Sequence, residues 1–189
     1  RVHYRPGAPY AIGAWRDQLP AAAIIINGSF FDENDYALGL LVSDGQIYGQ
    51  SYSGFGGMFQ VDAAGLARVR SLIYEPYQGE ALTQAVQAFP MLVEANGSRA
   101  SQGDGFDDRS RRTVIAQDSL RRIILAVIPY ATMSFNELQE WLLSSDLDVQ
   151  IAFGLDGGRS TGLVINTPGL SALYPSLDKV PAVIAVYSR

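Results

Sequence analysis

Leu155-Asp156-Gly157-Gly158-Arg159-Ser160-Thr161-Gly162 concentrates groups with which this chain could do chemistry. The segment follows an apolar run from Val149 to Phe153, so a carboxylate, two glycines and two hydroxyls gather where a buried strand stops. Glycine admits φ > 0 and lets a ligand approach the backbone N–H groups. Partial burial there raises the pKa of an aspartate while neighbouring N–H groups favour its charged form, which makes Asp156 the leading candidate for a catalytic carboxylate. The alternative for the same residues is a tight turn, where Asp and Gly are common. A second segment repeats the design: Ala21 to Ile26 is apolar and leads into Asn27-Gly28-Ser29-Phe30-Phe31-Asp32. Asn27 can donate and accept together, as a sugar hydroxyl or acetamide requires. Gly28 permits close backbone approach, and Ser29 adds a hydroxyl. Two strand ends of this kind point to one composite site. At least one of Phe30 and Phe31 is expected in the core, and Asp32 reads as an Asx turn rather than a second acid.

Four segments occur in order: Ile26-Asn27-Gly28-Ser29-Phe30-Phe31-Asp32, Phe89-Pro90-Met91-Leu92-Val93, Arg112-Thr113-Val114-Ile115-Ala116 and Leu155-Asp156-Gly157-Gly158-Arg159-Ser160-Thr161. Together they resemble the phosphodiester glycosidase family over about residues 21–187. The resemblance implies a hydrolase that cleaves a sugar 1-phosphodiester at its glycosidic bond, outside the cytoplasm, on a sugar-phosphate or glycan substrate; no cofactor is expected, and a metallophosphodiesterase is disfavoured because such sites draw on several histidines and carboxylates where this chain has one histidine. It also singles out Arg112-Thr113 from Arg109, Arg111 and Arg112, which otherwise read as a solvated basic cluster. The chain departs from the family pattern at Arg159, Gly162, Pro129-Tyr130 and Lys179. Arg159 is left with two readings, a second phosphate ligand or a solvent-facing side chain.

Ordinary glycoside hydrolysis needs two carboxylates, one of them to protonate a poor leaving group. A phosphate monoester leaves well without that help. One carboxylate, as base or nucleophile, plus donors on the departing phosphate therefore suffices. The residues fit this division, with Asp156 at the anomeric carbon and Arg112 with Gly157, Gly158, Ser160 and Thr161 at the phosphate. Arginine's planar fork suits phosphate oxygens. Two rival readings share these residues. One is a non-catalytic carbohydrate- or phosphate-binding domain of the same fold. The other takes Gly158-Arg159-Ser160-Thr161-Gly162 as a serine-hydrolase elbow with Ser160 as nucleophile. The single histidine, His3, precedes the serine, and a strand rather than a helix follows Gly162, so both features oppose the second rival.

The net charge of −5 argues against a nucleic-acid binder, so an anionic substrate must be held by local positive charge. No cysteine is present, which excludes disulfides and thiol chemistry. No apolar run reaches the ~18–20 residues of a membrane-spanning helix. Asp104, Asp107 and Asp108 could hold one structural cation, though not in calcium-loop spacing. Asn27-Gly28-Ser29 and Asn96-Gly97-Ser98 match the glycosylation sequon.

A single domain is expected over 1–189, with Arg1-Val2-His3-Tyr4-Arg5 reading as the interior of a strand. Strands are predicted at 21–26, 38–42, 46–48, 58–61, 91–94, 113–116, 122–128, 149–153, 163–165 and 182–187, several joined by turn signals such as Ser43-Asp44-Gly45. A helix is predicted from about Glu80 to Ala88, where Leu82, Ala85, Val86 and Phe89 form a stripe before Pro90. A second starts at Ser134, where Ser134-Phe135-Asn136-Glu137 is a capping box, with Leu138, Trp141 and Leu142 on the apolar face. The resulting fold class is α+β: a mixed β-sheet core with hairpins and a few packing helices. One βαβ-like crossover runs through the Ser134 helix and makes strands 122–128 and 149–153 parallel. The segment 95–111 is polar and glycine-rich and is expected to be a mobile loop beside the site.

Overall fold

A computed structural model describes residues 1–188, in which three antiparallel sheets share one core. The first sheet has the order β1 (Val2–Tyr4), β14 (Ala182–Tyr187), β2 (Ala22–Asn27), β12 (Leu163–Thr167), β13 (Leu170–Tyr174). The second has the order β4 (Gln46–Tyr48), β3 (Leu41–Ser43), β7 (Leu82–Ala88), β5 (Gly57–Asp62), β6 (Ala67–Ser71). The third is β10 (Ile123–Met133), β9 (Ser110–Asp118), β11 (Val149–Gly154), β8 (Met91–Val93). Ile26 and Ile184 from the first sheet, Phe59, Val69 and Val86 from the second, and Ile115, Ile151 and Phe153 from the third meet in the common core. Helix α1 (Ile12–Gln18) covers the first sheet with Ile12 and Trp15. Helix α2 (Phe135–Ser144) covers the third with Leu138 and Leu142.

The α+β reading holds, with strands far outweighing helices, but the sheets are not mixed. Every strand pairing among the described residues is antiparallel. Strands β10 and β11 are each antiparallel to β9 and so run in the same direction, but β9 lies between them and no parallel ladder forms.

The helix predicted over Glu80 to Ala88 is strand β7 instead. It is the middle strand of its sheet, flanked by β3 and β5, and is buried on both faces. The i, i+3, i+4 apolar spacing arises there because Gln84 and Gln87 are buried too. Gln84 accepts from the Val2 N–H at 2.6 Å and donates to Asp44 at 2.7 Å. Gln87 accepts from Tyr52 N–H at 2.9 Å and donates to the Ser51 hydroxyl at 2.8 Å. Buried amides satisfied in this way look polar in sequence yet belong to the interior.

Helix α2 begins as its capping box dictates. The Ser134 hydroxyl accepts from Glu137 N–H at 3.1 Å, and the Glu137 carboxylate accepts from Ser134 N–H at 2.8 Å. Trp141 departs from the expected apolar face and stands 43% exposed, on the solvent side of Leu138 and Leu142. Helix α1 and strands β6 and β13 carry no strong sequence pattern and were not predicted.

Candidate active site

Three strand ends meet at one place. Strand β9 starts where antiparallel β11 ends, with Gly154 opposite Val114, and the Leu155 N–H donates to the Thr113 carbonyl at 2.8 Å. The end of β2 lies alongside: Gly28 N–H donates to the Ala182 carbonyl at 2.9 Å, and Asp156 N–H donates to the Gly28 carbonyl at 3.2 Å. The Asp156 loop is thereby stitched to both sheets before it turns into a short 3₁₀ segment, Gly158–Ser160.

Asn27 is the knot beneath this loop. It has no exposed surface. Its Nδ2 donates to the Asp156 carbonyl at 2.6 Å, while Oδ1 accepts from the Thr113 hydroxyl at 2.7 Å and from Gly162 N–H at 3.3 Å. Thr113 is in turn 3.4 Å from the Thr161 hydroxyl, and both threonines are buried. Asn27, Thr113 and Thr161 therefore form a closed polar network that fixes the acid's backbone, and the direct sugar contact expected of Asn27 is not open to it. Gly28 is corrected in the same way. A Cβ there would lie 3.1 Å from Ala182, so its lack of a side chain serves the approach of β14, not of a ligand. Ser29 is buried, and its hydroxyl is unpartnered.

Above the network lies a cleft of about 300 Å³ lined by Arg112, Asp156, Gly157, Gly158 and Asp104, with Phe30, Phe89, Phe106 and Phe135 as aromatic walls. The carboxyl of Asp156 is raised to about 6, first by desolvation and further by the charge of Asp178, against the Ser160 hydroxyl and Gly157 amide, which favour its ionised form. Ser160 is buried and serves Asp156. Gly157 is required sterically, because a Cβ would sit 3.0 Å from the Arg111 carbonyl. Gly158 has φ +57°.

Arg112 is only 8% exposed. Its Nε donates to the Met133 carbonyl at 3.0 Å, one terminal nitrogen donates to the Asp108 carbonyl, and the guanidinium carbon lies 3.7 Å above the Phe135 ring. Desolvation lowers its pKa, and among the described residues no carboxylate lies within ion-pair distance. The guanidinium is held by neutral carbonyls and an aromatic face, the charge of Asp108 offsets part of the desolvation without forming an ion pair, and Nη1 lies 4.0 Å from where a Cβ at Gly157 would sit.

The remaining arginines are occupied elsewhere. Arg159 makes a bidentate pair with Asp178 at 2.8–2.9 Å on the surface and does not line the cleft, which fits a solvent-facing side chain and not a phosphate ligand. Arg111 donates to the Thr161 and Pro175 carbonyls, and Arg109 pairs with Glu137 at 2.8 Å. His3 contacts the Tyr187 hydroxyl at 2.8 Å, which leaves Ser160 without a histidine partner. Asp32 accepts from Asn34 and Tyr36 N–H, both at 2.9 Å, as an Asx turn. Among the described residues no group of three or more His, Asp or Glu converges as metal ligands, and Asp107 instead accepts from the Asn136 side chain.

Sequence reasoning missed the aromatic walls, and it weighed Asp104 only as a cation ligand and not as part of the cleft. Phe106 and Asp104 belong to the 95–111 segment, which folds against α2 with the Asn136 N–H donating to the Phe106 carbonyl at 3.2 Å. A lone phenylalanine in a glycine-rich polar stretch was the available signal. Phe30 stacks on Phe89 at 4.6 Å on the cleft side, whereas Phe31 packs into the core with α1.

The sequence profile of the phosphodiester glycosidase family matches residues 21–187. No curated protein matches the chain in sequence. Among solved structures, the chain is similar to the catalytic domain of zebrafish N-acetylglucosamine-1-phosphodiester alpha-N-acetylglucosaminidase, auto-inhibited by its pro-peptide. The two share 21% identity with a TM-score of 0.77, over 100% of this chain and 72% of that one. It is also similar to a hypothetical protein from Synechocystis, at 15% identity and TM-score 0.72, over 100% of this chain and 56% of that one. A third similar structure, from Burkholderia pseudomallei K96243, is named as an exported protein, with 12% identity and TM-score 0.65 over 98% and 70% of the two chains. At these identities the likeness is one of fold.

Proposed function

The chain belongs to the phosphodiester glycosidase family, and from that premise we propose that it hydrolyses the glycosidic bond of a sugar 1-phosphodiester. Asp156 acts at the anomeric carbon, and Arg112 with the Gly158 backbone holds the phosphate. The observation that carries this reading is the pairing, in one cleft, of a carboxyl raised to about 6 with a buried arginine that has no ion-pair partner among the described residues. A phosphodiester supplies that partner. Its sugar sits between the arginine and the carboxylate, and the departing phosphate takes charge that Arg112 is already placed to receive.

Above pH 6 Asp156 is ionised and serves as base toward water or as nucleophile at C1. The bond from C1 to the bridging oxygen breaks, and its electrons leave with the phosphomonoester. No proton donor is needed on that side. Ser160 and the Gly157 N–H keep the carboxylate from being held fully protonated. The family's extracytoplasmic setting extends to this chain as part of the same reading. No helix among the described residues is long and apolar enough to cross a membrane.

The test is a comparison of kcat/KM for wild type and Arg112→Lys on a phosphodiester and on a neutral aryl glycoside of the same sugar. Lysine keeps the charge but loses the planar fork, so the diester should lose about 10–100-fold, as for a charge-assisted hydrogen bond. The neutral substrate should be poor throughout and hardly change. Equal losses on both would remove the phosphate role from Arg112.

A further inference from the structure

Strand β10 is the longest strand of the described residues and lies at the edge of its sheet, with β9 on one side and no strand on the other. From Ile123 to Ile128 it reads Ile-Ile-Leu-Ala-Val-Ile, without a charge. All of these residues are half-buried, whereas their partners on β9, Arg112 to Gln117, are buried.

The direction of the edge's backbone groups follows from the ladder. Asp118 N–H donates to the Arg122 carbonyl at 3.2 Å, and on the far side of β9 the Leu155 N–H donates to the Thr113 carbonyl at 2.8 Å. Even-numbered residues of β9 therefore bond to β10 and odd-numbered ones to β11. Bonded positions alternate in an antiparallel pair, so Ile124, Ala126 and Ile128 turn their backbone groups to β9, and Ile123, Leu125 and Val127 turn theirs outward. Among the described residues no bond from outside the ladder reaches those three. Pro129 is the next outward position and has no N–H, so the row of donors stops there.

Three other edges are closed. On β1 the Val2 N–H donates to Gln84 and its carbonyl accepts from the Ser43 hydroxyl at 2.8 Å. On β6 the Val69 N–H donates to Gln117 at 3.1 Å. On β8 the Leu92 carbonyl accepts from the Gln139 side chain at 3.1 Å and from Ala100 N–H at 3.2 Å. A long uncharged edge left open is a template for another strand.

Symmetry indicates which strand. Leu125 is the middle of the three outward residues. A second copy turned by a two-fold axis through Leu125 runs antiparallel, sets Ile123 against the partner's Val127, and exchanges about six backbone hydrogen bonds. Leu120 and Tyr130 lie equally far from Leu125 along the chain and are the most exposed of the large apolar side chains, at 71% and 73%. Tyr130 touches Tyr174 and is otherwise open. The same rotation brings Leu120 of each copy to Tyr130 of the other, so both flanks are covered at once. Arg121 and Arg122 are carried to opposite ends of the pair and do not meet their own copies, and Arg122 is already paired with Asp118 at 2.6 Å. An unrelated extended segment would use the backbone row but has no built-in match for both flanks. We infer that two copies of this chain associate along β10 and join their third sheets, each of order β10-β9-β11-β8, into one continuous sheet.

The chain has no cysteine, so single substitutions report the register. In the pair, Ile124 faces the partner's Ala126 at a Cα separation of about 4.5 Å, within reach of a disulfide. Ile124→Cys and Ala126→Cys proteins, mixed and then oxidised, should crosslink several-fold more than either does alone. Sedimentation equilibrium of the intact chain should show monomer and dimer in exchange. Ala126→Lys, which puts a charge into that close pair, should weaken the dimer at least about ten-fold while the monomer still melts cooperatively. A monomer at every concentration would overturn the proposal, as would a dimer indifferent to the lysine. Crosslinking of either cysteine variant alone as readily as of the mixture would also overturn it, since the strands would then meet in another register or not at all. Should Ala126→Lys fail to fold, the crosslinking comparison decides.

Discussion

Replacing Asp156 with asparagine should stabilise the protein while abolishing its activity. The carboxyl has an ordinary value of 3.8 and is raised to about 6 in the fold, chiefly by desolvation. Each pKa unit is worth about 1.4 kcal/mol, so ionised Asp156 costs the folded state about 3 kcal/mol relative to the unfolded chain. The sign follows from proton occupancy. Below about pH 4 the group is protonated in both states and costs nothing. Between pH 4 and 6 the folded state holds its proton longer, so stability falls as pH rises, and above about 6 the full cost applies. Asparagine is neutral throughout and escapes this cost, though it gives up part of the bonding from Ser160 and the Gly157 amide. The expected gain at pH 8 is about 1.5–3 kcal/mol, or roughly 4–9 °C in Tm for a domain of this size. At pH 4 the difference should shrink to about 0.5 kcal/mol. The assay is thermal or urea unfolding of both proteins at one-unit steps from pH 4 to 8, with turnover measured on the same samples. Turnover of Asp156→Asn should fall at least about 100-fold, the scale of acid–base catalysis. A stability difference that does not change with pH, or a variant less stable than wild type at pH 8, would refute the claim that Asp156 is held charged at a cost.

Two further outcomes follow from the site's scaffold. Asn27→Ala leaves the Gly162 N–H and the Asp156 carbonyl without their side-chain partner and the Thr113 hydroxyl with only the 3.4 Å contact to Thr161. It should cost about 2–4 kcal/mol by urea unfolding and lower kcat more than it raises KM, because the acid's loop and not a substrate contact is disturbed. His3→Ala should leave kcat/KM within about two-fold, since His3 engages only Tyr187, and a loss beyond about 100-fold would revive the serine-nucleophile reading.

The strand ends at Asn27, Arg112 and Asp156 were legible because each closes or opens an apolar run, and the structure does bring them together. Their division of labour was not. Asn27 and Asp156 look alike in sequence, each a small polar residue before glycine. Only the long-range pairing of β2 with β14 and β12 shows that Asn27 faces inward. The strand at Leu82–Ala88 was misread because its buried glutamines imitate the polar face of a helix; their partners lie 35 to 82 residues away in the chain. The antiparallel order of β10, β9 and β11 depends on which strand inserts between two others, which spacing along the chain does not record. The Ser134 capping box, by contrast, is local chemistry and appeared where its four residues placed it. The aromatic walls were the largest omission, since Phe30, Phe89, Phe106 and Phe135 come from four separate segments.

The most direct test of the central claim is which bond breaks. Hydrolysis of a panel of glycosyl 1-phosphodiesters, N-acetylglucosamine among the sugars, would be run in ¹⁸O-labelled water and the phosphorus product read by ³¹P NMR. A glycosidase assisted by Asp156 opens the bond between C1 and oxygen, so the released phosphomonoester should carry no label, and Asp156→Asn should release almost none of it. Label in the phosphate would show attack at phosphorus and contradict the account, as would the absence of hydrolysis across the whole panel.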